Sequence, residues 1–191
     1  MKKAGTILRG FVLGIVVTLI ALAAGAIAVV QNGWVPARAD VPVNAVEKWA
    51  AHSVFTAIRR DSRGLVSPLQ PTDENLIAGA KAYGMECVLC HGASDGKVSD
   101  IAKGFYMPSP QFAKNGVEDD PESETYYKVK HGIKFTPMPA FGETLTDEQA
   151  WQVALFLKHM DTLPPAVDAE WKKIPSVAAS PAPNASPASS I

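Results

Sequence analysis

The sequence predicts an all-α protein in which one membrane-crossing helix precedes a small helical domain. Two observations predict it. The stretch Gly10 to Val30, "GFVLGIVVTLIALAAGAIAVV", carries no charge. Beyond it, apolar residues recur at three- and four-residue steps in three separate segments, a fourth carries helix start and stop signals, and no alternating strand pattern survives the count. A chain of 191 residues has room for one ordinary domain with appendages.

The first element is set by length. Its 21 residues reach roughly 31 Å as a helix, about the thickness of a bilayer's hydrocarbon core. A cleaved signal peptide is the competing reading, and "PARAD" at 36–40 offers small residues before a cut. Secretory apolar regions usually run only ~7 to 15 residues, which favours a retained anchor over residues 1–31. Lys2, Lys3 and Arg9 lie in front of the span, and only Arg38 follows closely. That bias keeps the amino terminus cytoplasmic and sends the rest to the outer, periplasmic side of a bacterial inner membrane. Trp34 suits the headgroup layer, and Gly10 with Gly14 forms a GxxxG that permits helix pairing, although small residues are common in such helices.

Charge excludes one class of partner. All 19 carboxylates lie at or after Asp40, whereas Lys2, Lys3, Arg9 and Arg38 precede it, leaving 14 basic residues and a balance of −5 from Asp40 onward. A nucleic-acid binder shows the opposite footprint.

Residues 32–72 read as a linker containing an amphipathic helix at about 43–60, with Val46, Trp49, Ala50, Val54, Ala57 and Ile58 on its apolar positions. The next helix should run from about Asp73 to Met85. Thr72 or Asp73 can cap it, and Leu76, Ile77, Ala80 and Tyr83 share a face. Residues 92–120 are rich in Gly, Pro, Ser, Asp and Asn and read as loop. "PESETYYKVKHGI", 121–133, has Pro121 at a first helical position and Gly132 as its stop. A Pro-rich loop leads to a last helix in which Thr146 and Gln149 form a capping box and Val153, Phe156, Leu157 and Met160 line one stripe. The helical domain is therefore set at 73–165. A C-terminal extension follows at 166–191, its Pro/Ala/Ser tail from about Pro175 too poor in large apolar groups to fold.

The chain's only two cysteines stand in "MECVLCHGAS", with a histidine directly after the second. A disulfide across two residues would constrain little and ignore His91. A thioredoxin-like pair belongs beside a βαβ pattern, and here the flanks are helical or irregular. Zinc wants about four ligands, and no second pair exists to complete the set. The remaining reading uses all three residues: Cys87 and Cys90, at i and i+3, reach the two vinyl groups of a haem as thioethers, and His91 becomes the proximal iron ligand.

With these residues the stretch from about 73 to 162 resembles the class I monohaem cytochromes c. The likeness rests on a helix with Gly79 and Tyr83, then Cys87, Cys90 and His91, a loop, a helix ending "KHGI", a Met-Pro loop and a final helix with an aromatic-aliphatic face. The resemblance implies one covalently attached haem c and a crossing of the first and last helices, Gly79 and Tyr83 against the region of Trp151, Leu155 and Phe156. It also implies a methionine as sixth ligand, well downstream and just before a proline. Met138 in "TPMPAF" fits, and Met107 in "FYMPSP" stays the alternative. Met85 is too near Cys87, and Met160 falls on the apolar stripe of the last helix. Pro108 or Pro110 is expected to offer a carbonyl to the other nitrogen of His91.

Ligation by His91 and Met138 fills the iron's coordination, so the expected function is one-electron transfer rather than catalysis on a substrate. The partners implied are redox proteins, with a membrane dehydrogenase or oxidoreductase as donor and an oxidase or reductase as acceptor. Two other readings stay open: a haem c subunit bound to a membrane oxidase, reductase or dehydrogenase, and a haem peroxidase or gas sensor with an open sixth site. The acidic run Glu118, Asp119, Asp120, Glu122 and Glu124 offers either a docking face for a basic partner or solvated charge at a helix start.

Overall fold

The computed structural model describes residues 2–177, with side chains from residue 7 onward. It divides into two compact units, Met1–Arg38 and Ala39–Ile191. The part of the expected tail beyond Val177 lies outside the described residues. Every regular element among the described residues is helical, so the protein is all-α.

The first unit is helix α1, Lys2–Gln31. Its segment Ile7–Gln31 is long and apolar enough to cross a membrane, and none of its most apolar stretch is buried. A Cβ added at Gly10 or Gly14 would meet nothing within 4 Å.

The second unit holds α2 (Ala45–Asp61), α3 (Asp73–Glu86), α4 (Val88–His91), α5 (Asp100–Lys103), α6 (Glu122–His131), α7 (Asp147–Lys158) and α8 (Pro165–Trp171), with a single 3-10 turn at Met160–Thr162. The helix starts are chemically specified. Asn44 Oδ1 accepts from the amides of Val46 and Glu47, and Glu47 returns a bond to the Asn44 amide at 2.8 Å. Thr72, rather than Asp73, caps α3. Thr146 and Gln149 form the expected box at the start of α7, with bonds of 2.9 and 3.2 Å. Pro121 sits one place earlier than expected, as the cap of α6, and Gly132 ends that helix at φ +67°.

The core is centred on the crossing of α3 and α7, with α6 and α8 packed beside it. Gly79 makes the crossing possible. A Cβ there would stand 2.0 Å from the carbonyl oxygen of Gln152 and 2.9 Å from Cβ of Phe156, so only glycine lets the two backbones approach this closely. Tyr83 and Phe156, both without exposure, meet edge to face with ring centroids 5.8 Å apart. The expected crossing is therefore present at Phe156, and Leu155 is buried in the same core. Trp151 serves another seam, stacked flat on Tyr126 at 4.0 Å.

Two elements lie where periodicity offered none. Within the segment read as loop, Ser99 caps the one-turn helix α5 through the amide of Ala102. Beyond residue 165, α8 buries Val167 and Trp171 in the same core, Trp171 against Tyr83 at 5.3 Å and Phe156 at 5.5 Å. A four- and a seven-residue helix are too short to show a period.

Candidate functional site

Helix α3 runs directly into the cysteine motif. Cys87 is its C-cap, and the chain then makes one further helical turn, α4, closed by amides of Cys90 and His91 on the Cys87 carbonyl at 3.1 and 2.9 Å. One turn puts residues i and i+3 on the same side, so both thiols belong to one face of a rigid helical step. Both cysteines are free; Cys87 is buried and Cys90 half-buried. Burial, followed by the nearby Glu86 and Cys90, pushes the Cys87 thiol up to about 12, and burial raises Cys90 as well. Both are held as neutral thiols.

The step is locked from behind. Tyr83 Oη donates to the Gly92 carbonyl at 2.7 Å, and Ser109 Oγ and Gln111 Nε2 donate to the Cys90 carbonyl at 2.6 and 2.9 Å. His91 Nδ1 lies 2.8 Å from the Pro110 carbonyl, one of the two carbonyls expected for it. A carbonyl only accepts, so Nδ1 carries the proton and Nε2 keeps its lone pair. Burial lowers the His91 pKa and so favours the neutral ring, and that hydrogen bond opposes the shift only in part. The ring also lies flat on Phe112, centroids 4.3 Å apart and planes 3° from parallel.

Cys87, Cys90, His91 and Met138 line one cavity of about 310 Å³, with walls that are mostly apolar. That volume is within the range of small-molecule and cofactor sites. Met138 reaches the cavity from the Pro-rich loop after α6. Gly132 permits this, because a Cβ there would stand 2.7 Å from the Ala140 amide and 2.9 Å from the Met138 carbonyl. The Ile133 amide bonds the Met138 carbonyl at 3.2 Å, and the Met138 amide bonds Thr136 Oγ1 at 3.2 Å. Met107 lines the same cavity. Among the described residues no group of three or more His, Cys, Asp or Glu gathers together.

Residues 74–157 match the family described as cytochrome c oxidase, cbb3-type, subunit III. Residues 74–157 are a c-type cytochrome domain. The match covers less than half of the chain and spans α3 to α7, with the cysteine motif and Met138 inside it. No curated protein matches. A chain from the Kuenenia stuttgartiensis reducing HAO-like protein complex Kustc0457/Kustc0458 is similar at 30% identity, covering 49% of this chain and 46% of its own length, with a TM-score of 0.40. This chain thus spans about half the length of that relative.

In a cytochrome domain this cavity implies haem c, and the donor set suits it: two thiols on one helical step, a neutral imidazole with a fixed tautomer, a thioether sulfur, and apolar walls. Several supporting residues carry no sequence signature. Phe112 is 21 positions from His91, and the Tyr83 hydroxyl could as well have faced solvent. Phe55, from the segment expected to be a linker, also lines the cavity. The remaining histidines are set apart: His52 and His159 each bond a carbonyl of their own helix at 3.3 and 2.9 Å, and His131 packs on Tyr127 at 4.6 Å.

The acidic run is partly consumed inside the fold. Lys128 pairs with Asp120 at 2.6 Å and with the buried Glu124 at 3.1 Å. Lys158 Nζ donates to the carbonyls of Glu118 and Asp120. These contacts tie α6 and α7 to the loop before α6.

Proposed function

We propose that the chain is a membrane-anchored electron carrier in which Cys87 and Cys90 hold one covalent haem and His91 and Met138 are the axial ligands. The haem, when bound, supplies a reversible one-electron couple. The observation that carries this reading is the convergence of those four side chains on one apolar cavity, with the His91 tautomer set by Pro110.

The protein's own residues have separable tasks. Pro110 leaves Nε2 of His91 as the ligating nitrogen, and Phe112 fixes the ring plane. Met138 is favoured over Met107 because its loop is closed on α6 by backbone bonds, whereas Met107 shares a loop with Pro110 behind His91. The apolar walls exclude water, and a rigid helical shell limits reorganisation on electron transfer.

The anchor at 1–31 and the haem domain are the functional units of this reading, with 32–72 and its helix α2 between them; the domain, expected to end at 165, extends through α8, whose Val167 and Trp171 belong to its core. The basic residues Lys2, Lys3 and Arg9 support an outward-facing haem domain on the periplasmic side. There, the partners are redox proteins, a membrane dehydrogenase or oxidoreductase as donor and an oxidase or reductase as acceptor.

A redox titration of the membrane-extracted protein, followed by its visible spectrum, tests the reading. One reversible one-electron transition, with a reduced spectrum unmoved by carbon monoxide, is expected. A spectrum that shifts with carbon monoxide contradicts the filled sixth site and points to a peroxidase or gas sensor.

The description of the matching family model favours a second reading, a haem-bearing subunit held in a membrane oxidase complex. Mild detergent extraction distinguishes the two: a subunit copurifies with catalytic chains in fixed ratio, and a carrier does not.

A further inference from the structure

Helix α2 lies outside the matched segment, yet it contributes to the cavity. Ala51 and Ile58 are buried at 5% and 4% exposure, and Phe55 stands four residues after the first and three before the second, on the same stripe. None of the three belongs to the core cluster around α3 and α7. The inward face of α2 packs on α6 instead, and Phe55 lines the cavity that also holds Cys87, His91 and Met138.

Three ties hold α2 there. Tyr106 Oη donates to Glu47 near its first turn, Lys128 Nζ lies 5.8 Å from the centroid of the Phe55 ring, and Tyr127 Oη donates to Asp61 at 3.4 Å at its end. Tyr106 is on the loop that leads to Pro110, and Tyr127 and Lys128 are on α6. The helix therefore bridges two walls of the cavity, and Phe55 is the side chain it places between them.

We propose that Phe55 is a haem-contacting residue, delivered by α2 to close a wall that the cytochrome domain leaves open, and that it limits the access of water to the iron. This rests on the haem assignment above. Water stabilises the more highly charged ferric state, so an opened wall lowers the reduction potential and eases entry of outside ligands.

The experiment compares wild type, Phe55→Ala and Phe55→Leu as full-length haem proteins, by spectroelectrochemical potential, imidazole binding to the ferric form and urea midpoint. Phe55→Ala should shift the potential downward and bind imidazole about five- to tenfold more tightly, the equivalent of ~1 kcal/mol of lost closure. Phe55→Leu should stay near wild type in both readings. A purely structural role would move the urea midpoint and leave potential and imidazole affinity alone, and that result overturns the proposal. Should Phe55→Ala fail to mature, Tyr106→Phe/Tyr127→Phe decides. That pair removes both hydroxyl ties and leaves Phe55 in place; the same two shifts, smaller in size, support the proposal, and wild-type values overturn it. If wild type carries no covalent haem, the underlying assignment fails first, visibly in its own spectrum, and this inference falls with it.

Discussion

Tyr83 reaches from the centre of the α3–α7 crossing to the residue after His91, its hydroxyl donating to the Gly92 carbonyl at 2.7 Å. The side chain has no exposure, and burial raises its pKa well above the ordinary tyrosine value, so the hydroxyl stays a donor throughout the working pH range. Helix packing and the cysteine–histidine step are thereby joined by one bond. Tyr83→Phe keeps the ring and removes the donor. It should lower stability by about 1–3 kcal/mol, the usual penalty for a buried group left unpaired, read as a shift in urea midpoint with helix content unchanged.

Gly79→Ala should be more damaging than its single methyl suggests. The added Cβ would meet the backbone of Gln152, which has no rotamer to change. Overpacking typically costs ~1–3 kcal/mol, and a backbone collision belongs at or above the upper end. Thermal unfolding by circular dichroism checks it; a melting curve equal to wild type would mean that α3 and α7 do not cross as closely as described.

Lys128→Ala leaves Glu124 buried at 4% exposure without its nearest cation. Removing one partner of a buried pair costs about 3–5 kcal/mol, far more than an exposed pair is worth. Chemical denaturation should show a loss of that size. A loss under ~1 kcal/mol would place the pair effectively in water.

Legibility in the sequence followed local chemistry. The box of Thr146 and Gln149, the cap at Thr72 and the stop at Gly132 each depend on residues within one turn, so a linear reading finds them. The motif Cys87, Cys90, His91 is likewise one helical turn, and its chemistry follows from its spacing. What escaped was either short or distant. Helix α8 has too few residues for a period, yet Trp171 is part of the core. Phe112 on His91, and Phe55 in the cavity wall, are pairings made by the tertiary fold, and no spacing rule reaches across them. The face of α2 shows the limit clearly: Val46 and Trp49, counted as apolar positions of the helix, are 71% and 73% exposed, while Ala51, outside the counted set, is buried.

Covalent attachment predicts a chemical result at the cysteines. In the mature protein, neither Cys87 nor Cys90 should react with an alkylating reagent even after full denaturation, and intact mass should exceed the polypeptide by one haem. Burial alone protects a thiol only in the folded state. Two alkylated cysteines after denaturation would show that the thioethers never formed.

The ligand assignment is the centre of the account. The direct measurement is the visible spectrum of the oxidised protein beside Met138→Ala and Met107→Ala, read at the weak long-wavelength sulfur-to-iron band. The band is expected in wild type and in Met107→Ala and is expected to be lost in Met138→Ala. A band that survives in Met138→Ala, or that wild type never shows, would contradict Met138 as the sixth ligand and with it the filled iron on which the electron-carrier reading stands.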